Sequence, residues 1–192
     1  MEQKIDFMSN YSKYKDNQLY LLLKGNKEEA ESAFSEIYSR YSQRVFAYCL
    51  RVVGNSEDAK DIYQEVFIKF YKSANEKQVV DNIASYLIVT ARHLCINHFR
   101  SQKSSVQIQD YQLVSNDEGY EQKELLQLIS NALEMLDFED RESFVLRQYQ
   151  GLSYNEIAVI VGDTVTAIRN RVWRAKEKIR NILSPYLVDL SK

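Results

Sequence analysis

The residues best suited to chemistry lie near the C-terminus, where basic side chains are interleaved with small polar ones. Residues 164–180 contain six basic side chains and one acidic side chain. Arginine and lysine contact phosphates, while an amide such as Asn170 or a hydroxyl such as Thr166 can hydrogen bond to base edges. This combination of residue types indicates DNA binding rather than catalysis.

The elements that would position these side chains are two short helices joined by a tight turn. Ser153 and Glu156 have the spacing of a capping box, so a helix is expected to begin near Tyr154. Gly162 can take the left-handed conformation that ends a helix, and Thr164 can cap the next helix. The segment therefore predicts a helix-turn-helix.

The second of these helices has two chemically different faces. At about 100° per residue, the apolar side chains Val165, Ile168, Val172 and Ile179 share one face and would pack inward. The opposite face carries Thr166, Asn170, Trp173 and Arg174, with Arg169 and Arg171 on its flanks. A recognition helix has this arrangement. A solvated basic helix without a DNA role is the alternative.

The net charge of −2 hides a segregation of charge along the chain. Residues 82–109 contain three basic and no acidic side chains, whereas residues 110–142 contain ten acidic and two basic ones. The acid-free segment is a candidate nucleic-acid surface, and the acidic segment would be repelled by phosphate. The charge of the whole chain therefore does not exclude a nucleic-acid partner.

Residues 56–72 predict an amphipathic helix with an unusual outer surface. The apolar face, which would form core, comprises Ala59, Ile62, Tyr63, Val66, Phe67 and Phe70. The outer face presents Asp61, Gln64, Glu65 and Ile68. An aliphatic side chain exposed among acidic and amide groups indicates a partner-binding surface. An ordinary solvated face is the alternative.

Residues 83–100 predict a second amphipathic helix whose outer face suits single-stranded nucleic acid. The inward face comprises Ala84, Leu87, Ile88, Ala91, Leu94 and Cys95. The outer face comprises Tyr86, Val89, His93, Asn97 and Arg100. Bases stack on aromatic rings, and the amide, imidazole and guanidinium add hydrogen-bond donors. The alternative is an amphipathic helix with polar groups in solvent.

No metal site or cofactor is expected. A zinc site built from His93, Cys95 and His98 is disfavoured, because His93 and Cys95 would lie about 200° apart around the helix axis. Cys49 and Cys95 fall in apolar helical patterns and are expected to be buried, reduced thiols. No apolar run resembles a signal peptide or a membrane span, so a cytoplasmic location is expected.

The fold class predicted is all-α, with two small helical domains joined by a polar linker and a helix-turn-helix in the C-terminal domain. Strand patterns are nearly absent, and the chain has five glycines and one proline. A polar segment rich in Ser, Gln and Asn interrupts the helical patterns. The predicted boundaries are 16–100 for the first domain, 101–123 for the linker and 124–184 for the second domain.

The order of these segments resembles the extracytoplasmic-function (ECF) group of bacterial sigma factors within the sigma-70 family. In the first domain the resemblance rests on Ala33, Phe34, Tyr38 and Tyr41 and on residues 56–70 and 86–100. In the second it rests on Leu136 and on residues 141–146, 151–158 and 167–176. Together these pieces cover most of the chain. The usual pattern has Trp where this chain has Tyr86, Pro where it has Asp137, and Thr-Val where it has Ala167 and Ile168. Asp137 is still expected to cap the next helix.

The resemblance implies a task for each surface. The face of Asp61, Gln64, Glu65 and Ile68 would dock on the clamp helices of core RNA polymerase. The minus-ten promoter element would be captured, as unpaired bases, by Asn75, Lys77, Asn82, Tyr86, His93, Asn97 and Arg100. The minus-thirty-five element would be read as duplex by Thr166, Arg169, Asn170 and Arg174, with phosphate contacts from Arg171 and Lys176. The second domain would also hold the polymerase flap, and an anti-sigma factor is an implied partner.

The chain is not expected to be an enzyme, because it offers no paired carboxylates, no nucleophile beside a base and no phosphate-cradling glycine loop. The expected function is promoter recognition and DNA melting as part of the polymerase. The alternative is a stand-alone helix-turn-helix regulator that binds duplex DNA. An adaptor without a DNA role would leave the basic helix unexplained.

Overall fold

The computed structural model describes residues 11–75, 80–102 and 120–189, and these residues form eight α-helices without any strand. The all-α class predicted from the sequence is therefore confirmed. Most of the predicted linker, residues 103–119, lies outside the described residues, as does Lys77. The side chains of Asn75 and of residues 120–125 are also outside the description.

The helices are divided between two compact units. The first unit contains α1 (Asp16–Leu22), most of α2 (Lys27–Val53) and α3 (Ser56–Asn75), and α4 (Ile83–Gln102), while residues 50–56 at the junction of α2 and α3 belong to the second unit. The second unit contains α5 (Tyr120–Glu134), α6 (Phe138–Gln148), α7 (Tyr154–Val161) and α8 (Val165–Asp189). Each unit has its own buried apolar residues, as expected of a small helical domain.

The core of the first unit is built from one apolar stripe on each long helix. All six apolar residues predicted for α3 face inward, although Tyr63 is only partly buried. In α4, Leu87, Ile88, Ala91 and Cys95 are buried as predicted, whereas Ala84 and Leu94 are half-buried. Cys49 is buried as well, and both thiols are free. The helical periodicity of the sequence therefore identifies this core.

A polar cluster joins α1 to α2. The guanidinium of Arg40 forms an ion pair with Glu36 at 2.7 Å and another with Asp16 at 3.0 Å. The hydroxyl of Tyr41 donates a hydrogen bond to Asp16. Burial of the Tyr41 ring, together with that hydrogen bond, raises the pKa of Tyr41 to about 12, so the phenol stays a donor at neutral pH. These bonds hold the start of α1 on the polar side of α2.

In the second unit, the helix-turn-helix has the local structure that its sequence predicts. The amide of Ser153 donates to Glu156 Oε2 at 2.7 Å, and the amide of Glu156 donates to Ser153 Oγ at 3.2 Å. Gly162 ends α7 with φ of 76°, and Thr164 Oγ1 accepts from the amide of Ala167 at 3.1 Å. The capping box, the turn glycine and the second cap are all confirmed.

Two local expectations were wrong. The second helix of the motif is not short, because α8 has 25 residues and continues through Pro185. Its apolar stripe extends beyond Ile179 to the buried Leu183, which favours the continuation. Asp137 occupies the position before α6, but its side chain makes no capping bond. Its Oδ2 accepts a hydrogen bond from Lys178 Nζ at 3.2 Å instead.

The left-handed residue between α7 and α8 gives a stability prediction. A Cβ at Gly162 would meet nothing within 4 Å, so Gly162→Ala adds backbone strain without a steric clash. We expect the free energy of unfolding to fall by about 1 kcal/mol. Gly162→Asn is the matched control, since asparagine tolerates the left-handed region and should cost less. Equal losses for both variants in urea unfolding would contradict this explanation.

Candidate partner and nucleic-acid interfaces

The predicted partner surface on α3 is exposed in the structure. The side chains of Asp61, Gln64, Glu65 and Ile68 all face outward, and Ile68 is 52% exposed. Glu65 Oε1 forms an ion pair with Lys69 Nζ at 3.3 Å, one turn further along the helix. The surface is thus a mixture of acceptors and one large aliphatic side chain, as the sequence predicts.

An open aromatic groove of about 510 Å³ lies next to this surface, between α2 and α3. Tyr38 and Phe67 face each other across it with ring centroids 4.9 Å apart, and Phe34 and Tyr71 are 5.4 Å apart. Tyr63 of α3 also lines the groove, and burial, with a hydrogen bond to Tyr38, raises the pKa of its hydroxyl. The lining residues are Glu31, Phe34, Tyr38, Tyr63, Gln64, Phe67, Ile68, Tyr71 and Lys72.

Sequence reasoning missed this groove. The signal was present as aromatic residues four apart, Phe34 with Tyr38 on α2 and Phe67 with Tyr71 on α3, which places each pair on one helix face. What the sequence does not contain is the distance between the two helices. Because Gln64 and Ile68 also line the groove, the apolar part of the α3 surface extends onto α2.

The predicted single-strand surface on α4 is partly exposed. His93, Asn97 and Arg100 are exposed and follow one another at helical spacing. Tyr86 is half-buried, because its ring packs on Phe70 of α3 with centroids 5.7 Å apart. Val89 is also half-buried. The outer face therefore presents imidazole, amide and guanidinium groups beside an aromatic edge that α3 holds in place.

Of the three loop residues predicted to bind a base, Asn82 is the one whose side chain is described. Its Oδ1 accepts a hydrogen bond from the amide of Ser85 at 2.8 Å, and its carbonyl accepts from the amide of Tyr86 at 3.0 Å. Asn82 thus caps α4. The cap uses the side-chain oxygen of Asn82, and the two N–H donors of its amide have no partner among the residues that the structure describes.

The outer face of α8 presents its polar residues as predicted. Thr166, Arg169, Asn170 and Lys176 are exposed, and Trp173 is 64% exposed. The guanidinium of Arg169 lies over the Tyr154 ring, 5.6 Å from its centroid. Neither Arg169 nor Lys176 forms an ion pair within the described part of the chain. These side chains are available to a ligand.

Two other arginines of the predicted DNA surface are already paired with acids. Arg171 Nη2 lies 2.8 Å from Asp163 Oδ2. Arg174 donates from Nε and Nη2 to the two carboxylate oxygens of Asp140, at 3.0 and 2.6 Å. These hydrogen bonds raise the pKa of the Arg174 guanidinium. The pairing of Arg174 with Asp140 was not predicted, because it depends on how α6 lies against α8.

Comparisons with known proteins agree with this geometry. Residues 37–105 match the family model of Sigma-70 region 2, and residues 126–179 match that of Sigma-70, region 4. The chain is 29% identical to the ECF RNA polymerase sigma-E factor of Escherichia coli (strain K12) over 172 residues, which are 82% of this chain and 90% of the relative. It is 25% identical to the RNA polymerase sigma-H factor of Pseudomonas aeruginosa over 170 residues, which are 81% and 88% of the two chains.

Two solved structures share the fold. The sigma factor RpoE of Bartonella quintana, solved in complex with the anti-sigma factor NepR, superimposes with a TM-score of 0.63 at 23% identity, over 79% of this chain and 96% of that one. CnrH, solved with the cytosolic domain of CnrY, gives the same TM-score at 20% identity, over 89% and 99%.

The two matched regions, one in each helical unit, identify a transcription initiation factor of the sigma class. The chain belongs to the ECF group of the sigma-70 family of RNA polymerase sigma factors. Proteins of this family initiate transcription and are not enzymes. In the described residues, no helix is long and apolar enough to cross a membrane.

The two roles of Asn82 can be separated by substitution. Asn82→Ser retains a capping oxygen and removes the amide, whereas Asn82→Ala removes both. We expect the alanine variant to lose about 1 kcal/mol of unfolding free energy and the serine variant to lose less. If the amide contacts a promoter base, both variants should lower promoter-specific initiation in a reconstituted assay. Normal initiation by Asn82→Ser would show that Asn82 is a helix cap alone.

Proposed function

We propose that this chain confers promoter specificity on core RNA polymerase, using the first unit for polymerase and minus-ten DNA and the second for minus-thirty-five DNA. The observation that carries the proposal is that α4 and α8 both present DNA-suited faces of different chemistry. The α4 face has stacking and amide groups for unpaired bases, and the α8 face has cations and Asn170 for duplex. A protein that only binds duplex has no use for the first of these faces.

Polymerase docking is assigned to Asp61, Gln64, Glu65 and Ile68 together with the adjacent aromatic groove. Ile68 and the groove supply apolar area, and the acceptors around them suit the basic side chains of a partner helix. An interface of this kind has an apolar centre with a charged rim. Because the chain is a sigma factor, the expected partner of this surface is the pair of polymerase clamp helices. The polymerase flap would bind the second unit.

Promoter opening is assigned to the outer face of α4 with the loop before it. Tyr86, held by Phe70, offers a ring edge for a base, and His93, Asn97 and Arg100 offer donors along a single strand. Asn75, Lys77 and Asn82 remain candidates for a pocket around an extruded base. Because unpaired bases bind this face and paired bases do not, binding favours the melted promoter.

Reading of the minus-thirty-five element is assigned to the outer face of α8. Thr166, Arg169 and Asn170 lie in the first two turns, where a recognition helix meets base edges. Arg171 and Lys176 would contact phosphates, and Arg174 would contribute through the edge that Asp140 leaves open. The chain catalyses no reaction in this scheme, needs no cofactor and acts in the cytoplasm with the polymerase.

An anti-sigma factor is a further proposed partner. The support is that two proteins with this fold, RpoE of Bartonella quintana and CnrH, were solved bound to NepR and to CnrY. A protein that covers the α3 surface and its groove would prevent polymerase from docking there. The chemistry of the groove suits an apolar helix with basic residues at its edges.

The second candidate function is a stand-alone regulator that binds duplex DNA through α8. It would bind a specific duplex tightly without polymerase, and the α3 surface would have no effect on its activity. The exposed Ile68 beside an open aromatic groove favours the polymerase-dependent function, because such apolar area is costly to expose without a partner.

The docking assignment is tested on binding to bacterial core polymerase. We expect the double variant Asp61→Lys, Glu65→Lys to bind at least about tenfold more weakly, because like charges then face the partner. Ile68→Ser should weaken binding about fivefold through the loss of apolar contact. Leu21→Ser is the matched control, because Leu21 is 67% exposed on α1 in the same unit. Unchanged binding of the charge-reversed variant would refute this docking surface.

The minus-ten assignment is tested by comparing two templates. On duplex promoter selected from a randomised library by the reconstituted holoenzyme, His93→Ala and Asn97→Ala should each reduce opening roughly tenfold, as expected for a lost base contact. On the same promoter with its minus-ten element pre-melted, part of the activity should return, because melting no longer has to be driven. Activity that stays equally low on both templates would refute the assignment.

A further inference from the structure

Asp140 is a buried carboxylate in the first turn of α6 whose partner is an arginine on the DNA-facing side of α8. Its side chain is 4% exposed, whereas that of Arg174 is 50% exposed. Both oxygens of Asp140 accept hydrogen bonds from the guanidinium, from Nε to Oδ2 and from Nη2 to Oδ1. The pair therefore reaches from the core of the second unit to its surface.

The geometry of this pair leaves one edge of the guanidinium unused. A guanidinium has five N–H donors, and a side-on pair uses one from Nε and one from Nη2. The end-on edge, with one N–H of Nη1 and the second N–H of Nη2, forms no hydrogen bond within the described residues. That edge offers two parallel donors, which match the O6 and N7 acceptors of guanine or two phosphate oxygens.

Arg174 is adjacent to the predicted reading residues on α8. At 3.6 residues per turn it lies about 40° around the axis from Asn170, which is opposite the buried stripe. The exposed half of Arg174 therefore belongs to the same face as Asn170. Free arginine side chains lose rotamer freedom when they bind, and a fixed partner removes most of that cost before binding.

Asp140 is itself well fixed. It is followed along α6 by three further buried residues, Arg141, Glu142 and Ser143. A buried carboxylate is tolerated when it is hydrogen-bonded to a charged partner, and both of its oxygens are so bonded here. The neighbouring pair of Asp137 with Lys178 differs, because the Asp137 side chain is 80% exposed and holds a flexible ammonium through one oxygen.

We propose that Asp140 is a positioning residue for promoter recognition, which holds the Arg174 guanidinium side-on so that its free edge contacts two acceptors on the minus-thirty-five duplex. The inference rests on the proposed function of α8. It adds a residue of α6, outside the helix-turn-helix, to the reading surface. It also assigns the ion pair a role in DNA binding rather than in folding alone.

The test is a double-mutant cycle on the full chain assembled with bacterial core polymerase. Binding is measured to a promoter selected from a randomised library, in competition with the same promoter carrying a scrambled minus-thirty-five element. The variants are Asp140→Asn, Arg174→Ala and the two combined, with Arg174→Lys to keep the charge without the side-on pair. Asp137→Asn is the matched control, because it breaks the neighbouring pair between the residue before α6 and Lys178 of α8.

Arg174→Ala should weaken binding about 5- to 100-fold, the range of a lost bidentate contact. Asp140→Asn should weaken binding about three- to tenfold in the native chain and less than twofold when Arg174 is already alanine. Arg174→Lys should resemble the alanine variant, and Asp137→Asn should bind within about twofold of the native chain. These results together would support the positioning role.

The two acceptor sources are distinguished by the sequence and salt dependence of the same variants. If the acceptors are guanine O6 and N7, Arg174→Ala and Asp140→Asn relax the preference at the same base pair. If they are phosphate oxygens, both weaken all sequences equally, and the slope of log affinity against log salt becomes about 1 unit shallower for Arg174→Ala. Either pattern supports the inference.

Three outcomes would overturn the inference. Asp140→Asn could weaken binding equally with and without Arg174, which would indicate a folding role. Thermal unfolding would then show an equal loss of stability in each variant that carries Asp140→Asn. Asp140→Asn could strengthen binding, which would mean that Asp140 withholds the arginine. Arg174→Lys could bind like the native chain. Arg169→Ala and Asn170→Ala separate these failures from a failure of the proposed function, because they should weaken binding whatever Asp140 does.

Discussion

The exposed faces of this protein depend on the burial of one apolar stripe along each helix. In α8, Ile168 and Val172 are at most 1% exposed, and in α3 Val66 and Phe70 are fully buried. Rotation of either helix about its axis would expose the buried apolar stripe to water, at a free-energy cost of about 25 cal/mol per Å² of apolar surface. The residues on the opposite side are therefore fixed as well. The direction in which Asn170 faces is set by residues that it does not contact.

In the second unit, ion pairs supplement the apolar packing and do not replace it. The acids at the start of α6 lie along the cationic side of α8, where Asp137 contacts Lys178 and Asp140 contacts Arg174. The exposed pair contributes little to stability because water screens it. The half-buried pair is different, since loss of one partner would leave a charge in the interior. The result is a helix whose cations are divided into paired and unpaired groups.

The local structure was predictable from the sequence to a greater extent than the interfaces. The capping box of Ser153 and the left-handed Gly162 involve residues a few positions apart, so their spacing alone specifies them. The ring pairs quoted across the aromatic groove are 29 and 37 positions apart, and Asp140 and Arg174 are 34 positions apart. They depend on how two helices approach each other, which no single helix encodes. The same limit explains Asp137, which has a capping position but bonds to a distant lysine.

The paired cations are also a reason to expect that α8 reads DNA only as part of the assembled polymerase and not as an independent DNA-binding helix. Of its six basic residues, Arg171, Arg174, Lys178 and Arg180 each lie within 4 Å of an acid, and Arg169 and Lys176 form no ion pair with the residues that the structure describes. The salt-dependent part of affinity scales with the phosphates neutralised, and the few contacts that this face can make give weak binding at physiological salt. Attachment to polymerase would raise the effective concentration of this face at the promoter and make weak binding sufficient. A surface that binds weakly alone and adequately when held in place would confine promoter recognition to the assembled polymerase.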